Sequence, residues 1–187
     1  MDKVGPSQVI TPTLGPVGQR LVELEGPRRR RREPGAAFVD HTLAIGQVVV
    51  ALTLAAGRGA YELLVMEPEP RCWRTFSGVG GRQMLRPDLF VSLGVGDFEH
   101  RWFVEVDRGQ EHLPTLLKKC RLYETYYRSG TEQGRHGVAP RVCWLMPSER
   151  HASRLERGIE RAGELTARLF TVTVTEQAVE VLCGGAT

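Results

Sequence analysis

The sequence has 187 residues, of which 41% are hydrophobic, and this suits one domain with a real core and an N-terminal extension. The net charge of +3 and the pI of about 8.8 permit an anionic partner without requiring one, and they exclude a histone-like protein.

Cysteine usage and hydropathy narrow the class of protein further. Cys72, Cys120, Cys143 and Cys183 lie far apart, without a CxxC pair or clustered histidines. This spacing argues against a zinc site and against a secreted disulfide scaffold, so we expect free thiols. We find no apolar run long enough to span a bilayer and no signal-peptide core, which predicts a cytoplasmic protein that does not contact membranes.

Residues 1–37 are predicted to form a basic, turn-rich arm ahead of a domain at residues 38–187. Gly-Pro and Pro-Gly pairs punctuate this arm as turns. It also contains an unbroken arginine run: Arg28, Arg29, Arg30, Arg31 and Arg32. Such a run is either a solvated arm or a phosphate-contacting arm, and the sequence leaves both alternatives open.

The rest of the chain alternates helical and β-rich patterns, which predicts an α/β sandwich with a mixed central sheet flanked by helices. Helices are predicted at residues 40–56, with Asp40 as the cap, at 113–127, and at 149–163 after Ser148. Strands are predicted at 61–66, 88–93, 100–106, 141–146 and 169–175. Residues 71–76 form either a short strand or a link, and residues 128–137 a polar loop. The valine-rich first helix is typical of a well-buried one.

Three carboxylates fall where two predicted strands meet. Asp88 opens one strand, and Glu105 and Asp107 stand two residues apart near the end of the next. Side chains alternate along a strand, so Glu105 and Asp107 project from one face, and a hairpin brings Asp88 alongside them. Clustered carboxylates repel each other, and a divalent cation is their usual compensation. The pattern therefore predicts a metal site at Asp88, Glu105 and Asp107.

Five stretches of the chain form recognisable motifs: His-Thr-Leu-Ala at 41–44, Arg-Pro-Asp at 86–88, Phe-Val-Glu-Val-Asp-Arg-Gly-Gln-Glu at 103–111, Leu-Pro-Thr-Leu-Leu-Lys-Lys at 113–119 with Tyr123, and Met-Pro-Ser-Glu-Arg at 146–150. Together they resemble the replication-relaxation family of actinobacterial plasmids and other mobile elements. The element order and the Asp88 and Glu105 strands also resemble the PD-(D/E)xK superfamily. That resemblance implies a restriction-endonuclease-like αβββαβ core over residues 38–182. Family members usually carry a winged helix first, and residues 1–37 are short for a whole one. The resemblance therefore implies a remnant of the winged helix there, its last hairpin, with the arginine run as the wing.

The resemblance implies a role for each residue of the predicted site. Asp88 and Glu105 hold Mg²⁺ or Mn²⁺, and Asp107 is a further ligand or orients the attacking water. The superfamily lysine stands two positions after the strand carboxylate, but here Asp107 occupies that position. A lysine from the next helix is the substitute, with Lys119 the first candidate and Lys118 the second. The residues expected to contact the phosphate backbone of DNA are Arg108, Lys118 and Arg121.

Three functional readings remain open from the sequence. The first is a metal-dependent DNA endonuclease or nickase in plasmid replication or relaxation. The second is a DNA-binding module that keeps the nuclease fold without cleavage, which the missing strand lysine favours. The third is an interaction partner of plasmid replication or transfer proteins, using exposed Trp73, Tyr126 or Tyr127, with oligomer formation open. A fourth, purely structural explanation is also open, in which Glu105 and Asp107 belong to a surface ion-pair network.

Overall fold

The computed structural model describes residues 35–78 and 80–184, which belong to one compact unit beginning at Gly35. The predicted arm, with Arg28, Arg29, Arg30, Arg31 and Arg32, lies outside the described residues up to residue 34. The first helix begins at Ala36, so the last two residues assigned to the arm from sequence belong to the helix instead.

The described elements follow the predicted alternation of helices and strands. They are α1 (Ala36–Gly57), β1 (Glu62–Pro68), β2 (Arg74–Gly78), β3 (Gly81–Leu85), β4 (Leu89–Val95), β5 (Phe98–Val106), α2 (Leu113–Arg128), α3 (Thr131–His136), β6 (Arg141–Met146), α4 (Glu149–Arg161), β7 (Phe170–Val174) and α5 (Ala178–Leu182). Short 3₁₀ turns at Ala167–Leu169 and Thr175–Gln177 flank β7.

Five of the strands form one mixed sheet in the order β1-β4-β5-β6-β7. β1, β4 and β5 pair antiparallel, and β5, β6 and β7 pair parallel. The parallel connections run through helices α2 and α4, as a crossover between parallel strands requires. The predicted fold class, a mixed sheet flanked by helices, is confirmed. β2 and β3 form a separate two-stranded hairpin.

The sheet is buried on both faces, and the alternation along β5 assigns its side chains to two cores. Trp102, Val104 and Val106 point into the core beneath α1 and α5, while Phe103 points into the core beneath α2 and α4. Trp102 also donates its indole N–H to the carbonyl of Leu182 at 2.9 Å, which ties α5 to the sheet. The predicted two-faced character of this strand is confirmed.

Helix α1 departs from prediction in three ways. Its N-cap is Gly35, so Asp40 lies within the helix rather than capping it. It is buried along one face only, through Ile45, Val48, Leu52 and Ala55. Its exposed apolar side chains are Phe38, Leu43, Val50 and Leu54. By length and composition this helix could cross a membrane, so the prediction that no run could do so was wrong.

Two further elements were not predicted, one in a stretch without an assignment and one in the predicted polar loop. Residues 81–85 pair with β2, because the hairpin closes over the core through the buried side chains of Phe76 and Leu85. The predicted polar loop contains α3, whose Glu132 is almost fully buried. Glu132 accepts hydrogen bonds from Tyr126 Oη at 2.6 Å and Arg74 Nε at 3.3 Å. Tyr126 is only six residues away, but Arg74 is 58 residues away, and no local pattern predicts that the two meet at Glu132.

Glu124 of α2 anchors the segment that leads into β7. Its carboxylate accepts hydrogen bonds from the Thr166 N–H at 2.8 Å, the Thr166 hydroxyl at 2.9 Å and Arg128 Nε at 2.6 Å. Burial disfavours the charged carboxylate, but the hydrogen bonds from Thr166 and Arg128 outweigh it and hold the pKa of Glu124 below its usual value.

We predict that Glu124→Gln lowers the free energy of unfolding by about 1–2 kcal/mol at pH 7, since hydrogen bonds to a charged acceptor are lost. A lowered folded-state pKa adds stability above the unfolded pKa of about 4.5, and that stability is lost as the pH falls through the folded value. The difference between wild type and variant should therefore shrink below pH 4.5. Urea unfolding at a series of pH values measures this difference in unfolding free energy, and Glu160→Gln, at an exposed position, is the control.

Candidate functional site

Asp88 is fixed at the start of β4 by contacts from three elements. The preceding carbonyl of Pro87 accepts a hydrogen bond from the buried Cys72 thiol at 2.9 Å. One carboxylate oxygen of Asp88 accepts the Val106 N–H at 2.8 Å, and the other contacts His41 Nε2 of α1 at 3.3 Å. Asp88 is only 7% exposed. Its hydrogen bonds join the start of β4 to the end of β5 and to α1.

Glu105 lies fully buried at the end of β5, on the face that packs against α2. Tyr123 donates its hydroxyl to one carboxylate oxygen of Glu105, and Lys119 donates its ammonium to the other. Lys119 and Tyr123 stand four residues apart, which places them on the same face of α2. One helix therefore supplies partners for both oxygens of the buried carboxylate.

A tight turn follows β5 and positions the next polar residues. Asp107 continues the parallel ladder by donating its N–H to the Leu145 carbonyl at 2.9 Å, and its side chain accepts the Gly109 N–H at 3.0 Å. Gly109 has φ +76°, and a Cβ there would approach His151 and Pro147 to 3.2 Å, so the turn requires glycine. Arg108 pairs with Asp40 of α1 at 3.0 Å.

These side chains open onto one cavity of about 260 Å³ at the end of the sheet. Its carboxylates are Asp88, Glu105, Asp107 and Glu111, and they outnumber the cationic Lys119 and Arg108. The remaining lining residues are Ala37, His41, Val106, Gln110, Leu116 and Trp144. The structure thus brings the four predicted catalytic residues, Asp88, Glu105, Asp107 and Lys119, around one space.

The protonation of this cluster follows from burial and from its neighbours. Burial raises the pKa of Glu105, against the opposing charge of Lys119 and its hydrogen bonds. Burial also disfavours the ionised form of Asp88, but His41, Lys119 and the Val106 N–H together keep its pKa below the usual value. The hydrogen bond to Asp88 raises the pKa of His41. Burial disfavours the Lys119 ammonium as well, yet Glu105 and Asp88 raise its pKa, so Lys119 is the stable positive charge of the cavity.

The cavity suits a hard divalent cation by the type of its donors, since oxygen ligands from carboxylates are what Mg²⁺ and Mn²⁺ prefer. As the side chains stand, however, no group of three or more His, Cys, Asp or Glu residues within residues 35–78 and 80–184 is arranged to hold a metal ion. Each oxygen of Glu105 accepts one hydrogen bond, from Tyr123 and from Lys119. The metal site predicted at Asp88, Glu105 and Asp107 stays a prediction.

The residues predicted to contact DNA are dispersed. Arg108 lines the cavity, and Lys118 is exposed on α2. Arg121 lies outside the cavity lining and pairs with Glu164 at 2.7 Å along a separate groove. Of the aromatic residues expected on the surface, Tyr126 is buried at 3% exposure, because its hydroxyl bonds to Glu132 inside the core. Trp73 and Tyr127 are partly buried against the same core.

Two residues of the site were not singled out from the sequence. His41 and Tyr123 appeared only within the family-like motifs, without a role at the carboxylates. For Tyr123, the four-residue spacing from Lys119 was the available signal. For His41 there was none, because its contact with Asp88 spans 47 residues and depends on how α1 crosses the sheet.

The fold and this cavity define an α/β protein with a carboxylate–lysine cluster at the end of a mixed sheet. The sequence matches the replication-relaxation family over residues 5–142, more than half of the chain, and the protein belongs to that family. The match includes Asp88, Glu105, Asp107 and Lys119; it starts earlier and ends earlier than the stretch in which the resemblance was identified. Comparisons with curated proteins and with solved structures give no match.

The hydrogen bonds of Asp88 predict that two substitutions at this position lower the free energy of unfolding by different amounts. Asp88→Ala leaves the buried Val106 N–H without its acceptor and should lower the free energy of unfolding by about 2–3 kcal/mol. Asp88→Asn keeps an acceptor at the same place and should cost less than about 1.5 kcal/mol. Denaturant unfolding in the presence of chelator measures both, with exposed Glu111→Ala as the control. Equal losses for the two Asp88 variants would contradict this account of the hydrogen bond.

Proposed function

We propose that this protein acts on DNA during replication of a plasmid or another mobile element, and that its cavity is a metal-dependent phosphodiesterase site. The observation that carries the proposal is the convergence of Asp88, Glu105 and Lys119 at the end of a sheet whose β1-β4-β5-β6 part is compatible with a restriction-endonuclease-like core. Membership of the replication-relaxation family supports the biological setting. An acidic cavity alone repels phosphate, so the proposal includes Mg²⁺ or Mn²⁺.

Each residue of the cavity has a part in the proposed chemistry. Asp88 and Glu105 would hold the cation, with Asp107 as a further oxygen donor. The bound cation would lower the pKa of a water and stabilise charge that develops on the phosphate. His41 keeps Asp88 in place, and Lys119 offers an ammonium to the phosphate oxygens. Arg108, beside the cavity, is the nearest candidate for a contact with the DNA backbone.

The nicking of supercoiled plasmid in Mn²⁺ or Mg²⁺ tests the proposed activity. We predict that Asp88→Asn and Glu105→Gln each lower the nicking rate at least about 100-fold, because electrostatic stabilisation of the reacting phosphate is lost. DNA affinity should change little. Asp97→Asn is the matched control, since Asp97 is exposed in the turn at the opposite end of the β4–β5 hairpin. Nicking that survives both substitutions would rule out this cavity.

One observation favours a second candidate function, a DNA-binding module that does not cleave. Glu105 is already satisfied by Lys119 and Tyr123 without a metal. In that case the wild type binds DNA, shows no metal-dependent nicking, and presents a surface other than the acidic cavity to the phosphates.

The arginine run is the strongest candidate for that surface, and its contribution can be measured separately. Replacing all five residues from 28 to 32 with alanine should weaken binding to all DNA sequences about equally. If each arginine neutralises one phosphate, the slope of log affinity against log salt should become shallower by about 4. Fluorescence anisotropy from low to high salt measures the slope. Lysine at the same five positions is the control and should keep it, and an unchanged slope with alanine would exclude the run.

A further inference from the structure

The Lys119 ammonium lies among the acidic side chains of the cavity. It donates to Glu105 and carries the single lysine charge among the carboxylates of Asp88, Glu105, Asp107 and Glu111. It also lies 5.9 Å from the centroid of the Trp144 ring, within range of a cation–π interaction. A cation that enters this cavity meets a position already filled by a cation.

The two donors to Glu105 differ in how easily they can leave. Tyr123 is 1% exposed and packs against Phe103, with ring centroids 5.8 Å apart, so its hydroxyl is held by the core. The Lys119 side chain is 31% exposed and has a flexible stem of four methylene groups. An ion that approaches Glu105 from the cavity therefore meets Lys119 rather than Tyr123.

We propose that Lys119 is a built-in competitor of the metal: its ammonium stands in for the divalent cation at Glu105, and a metal binds only when it displaces Lys119. This inference rests on the proposed function and concerns how the site is controlled. A displaced lysine has another carboxylate within the same cavity, Glu111, which the metal site does not use, so its charge stays compensated after it leaves Glu105. Lys119 thereby sets how much metal is needed to form the site.

Calorimetric titration with Mn²⁺, without DNA, tests the competition directly. Lys119→Met removes the charge and keeps most of the side-chain length, and we expect it to bind Mn²⁺ at least about tenfold more tightly than the wild type. Lys119→Gln is the second variant, should the methionine protein fail to fold, and the same increase is expected. Lys118→Met is the matched control: it makes the same charge change at the neighbouring, exposed lysine and should leave the affinity unaltered.

Adding Glu105→Gln to Lys119→Met identifies the site and should abolish the gain. If the wild type binds Mn²⁺ through Glu105 and neither Lys119 variant binds more tightly, the competition is wrong and the proposed metal site survives. If neither the wild type nor the Lys119 variants bind Mn²⁺, the metal site of the proposed function fails, and the competition fails with it.

A second measurement uses the unaltered protein. Lys3, Lys118 and Lys119 are the only lysines of the sequence, so their side-chain NMR signals are few. Titration with diamagnetic Mg²⁺ should shift the Lys119 ε-carbon signal as its ion pair with Glu105 opens, while the Lys118 signal stays in place. Binding of Mg²⁺ with an unmoved Lys119 signal would overturn the displacement.

Discussion

The buried carboxylate of Glu105, with Lys119 and Tyr123 on its two oxygens, constrains this structure more than any other single interaction. An ionised carboxylate without partners is costly to bury, so the rotation and register of α2 against β5 are limited to those that bring both side chains to Glu105. The aromatic core then follows, because the same face of α2 carries Tyr123 and Tyr126 onto Phe103. The core and the cavity thus share one helix and one strand.

Asp88 provides the corresponding connection on the α1 side. Its two oxygens join the end of β5 to α1 through the Val106 N–H and His41. The two carboxylates therefore link helices on opposite faces of the sheet to one point at its end. A site built from rigid elements in this way holds its groups in fixed positions, which the proposed chemistry needs.

Negative and positive charge are concentrated in different parts of the chain. The cavity is acidic and does not attract a phosphate backbone without a cation. The arginine run supplies concentrated positive charge in another part of the sequence. The proposed steering of DNA by the run and the proposed chemistry or recognition at the cavity can therefore be tested separately. The exposed apolar side chains Phe38, Leu43, Val50 and Leu54 lie on α1, the helix that also contributes Ala37 and His41 to the cavity lining.

The sequence by itself determined the alternation of helices and strands, the two-faced character of β5 and the shared face of Glu105 and Asp107, since these depend on local periodicity. It also identified the family, because that signal lies in contiguous motifs. The lysine named first from the sequence, Lys119, contacts Glu105, and its catalytic role stays a prediction. Only the tertiary structure decided that His41 reaches Asp88, that Tyr123 completes Glu105, and that Glu132 is buried in a stretch predicted to be a loop. Those outcomes depend on contacts between segments that are separated in the sequence. A charged side chain can be buried only where other segments supply its hydrogen-bond partners, and no local pattern contains those partners.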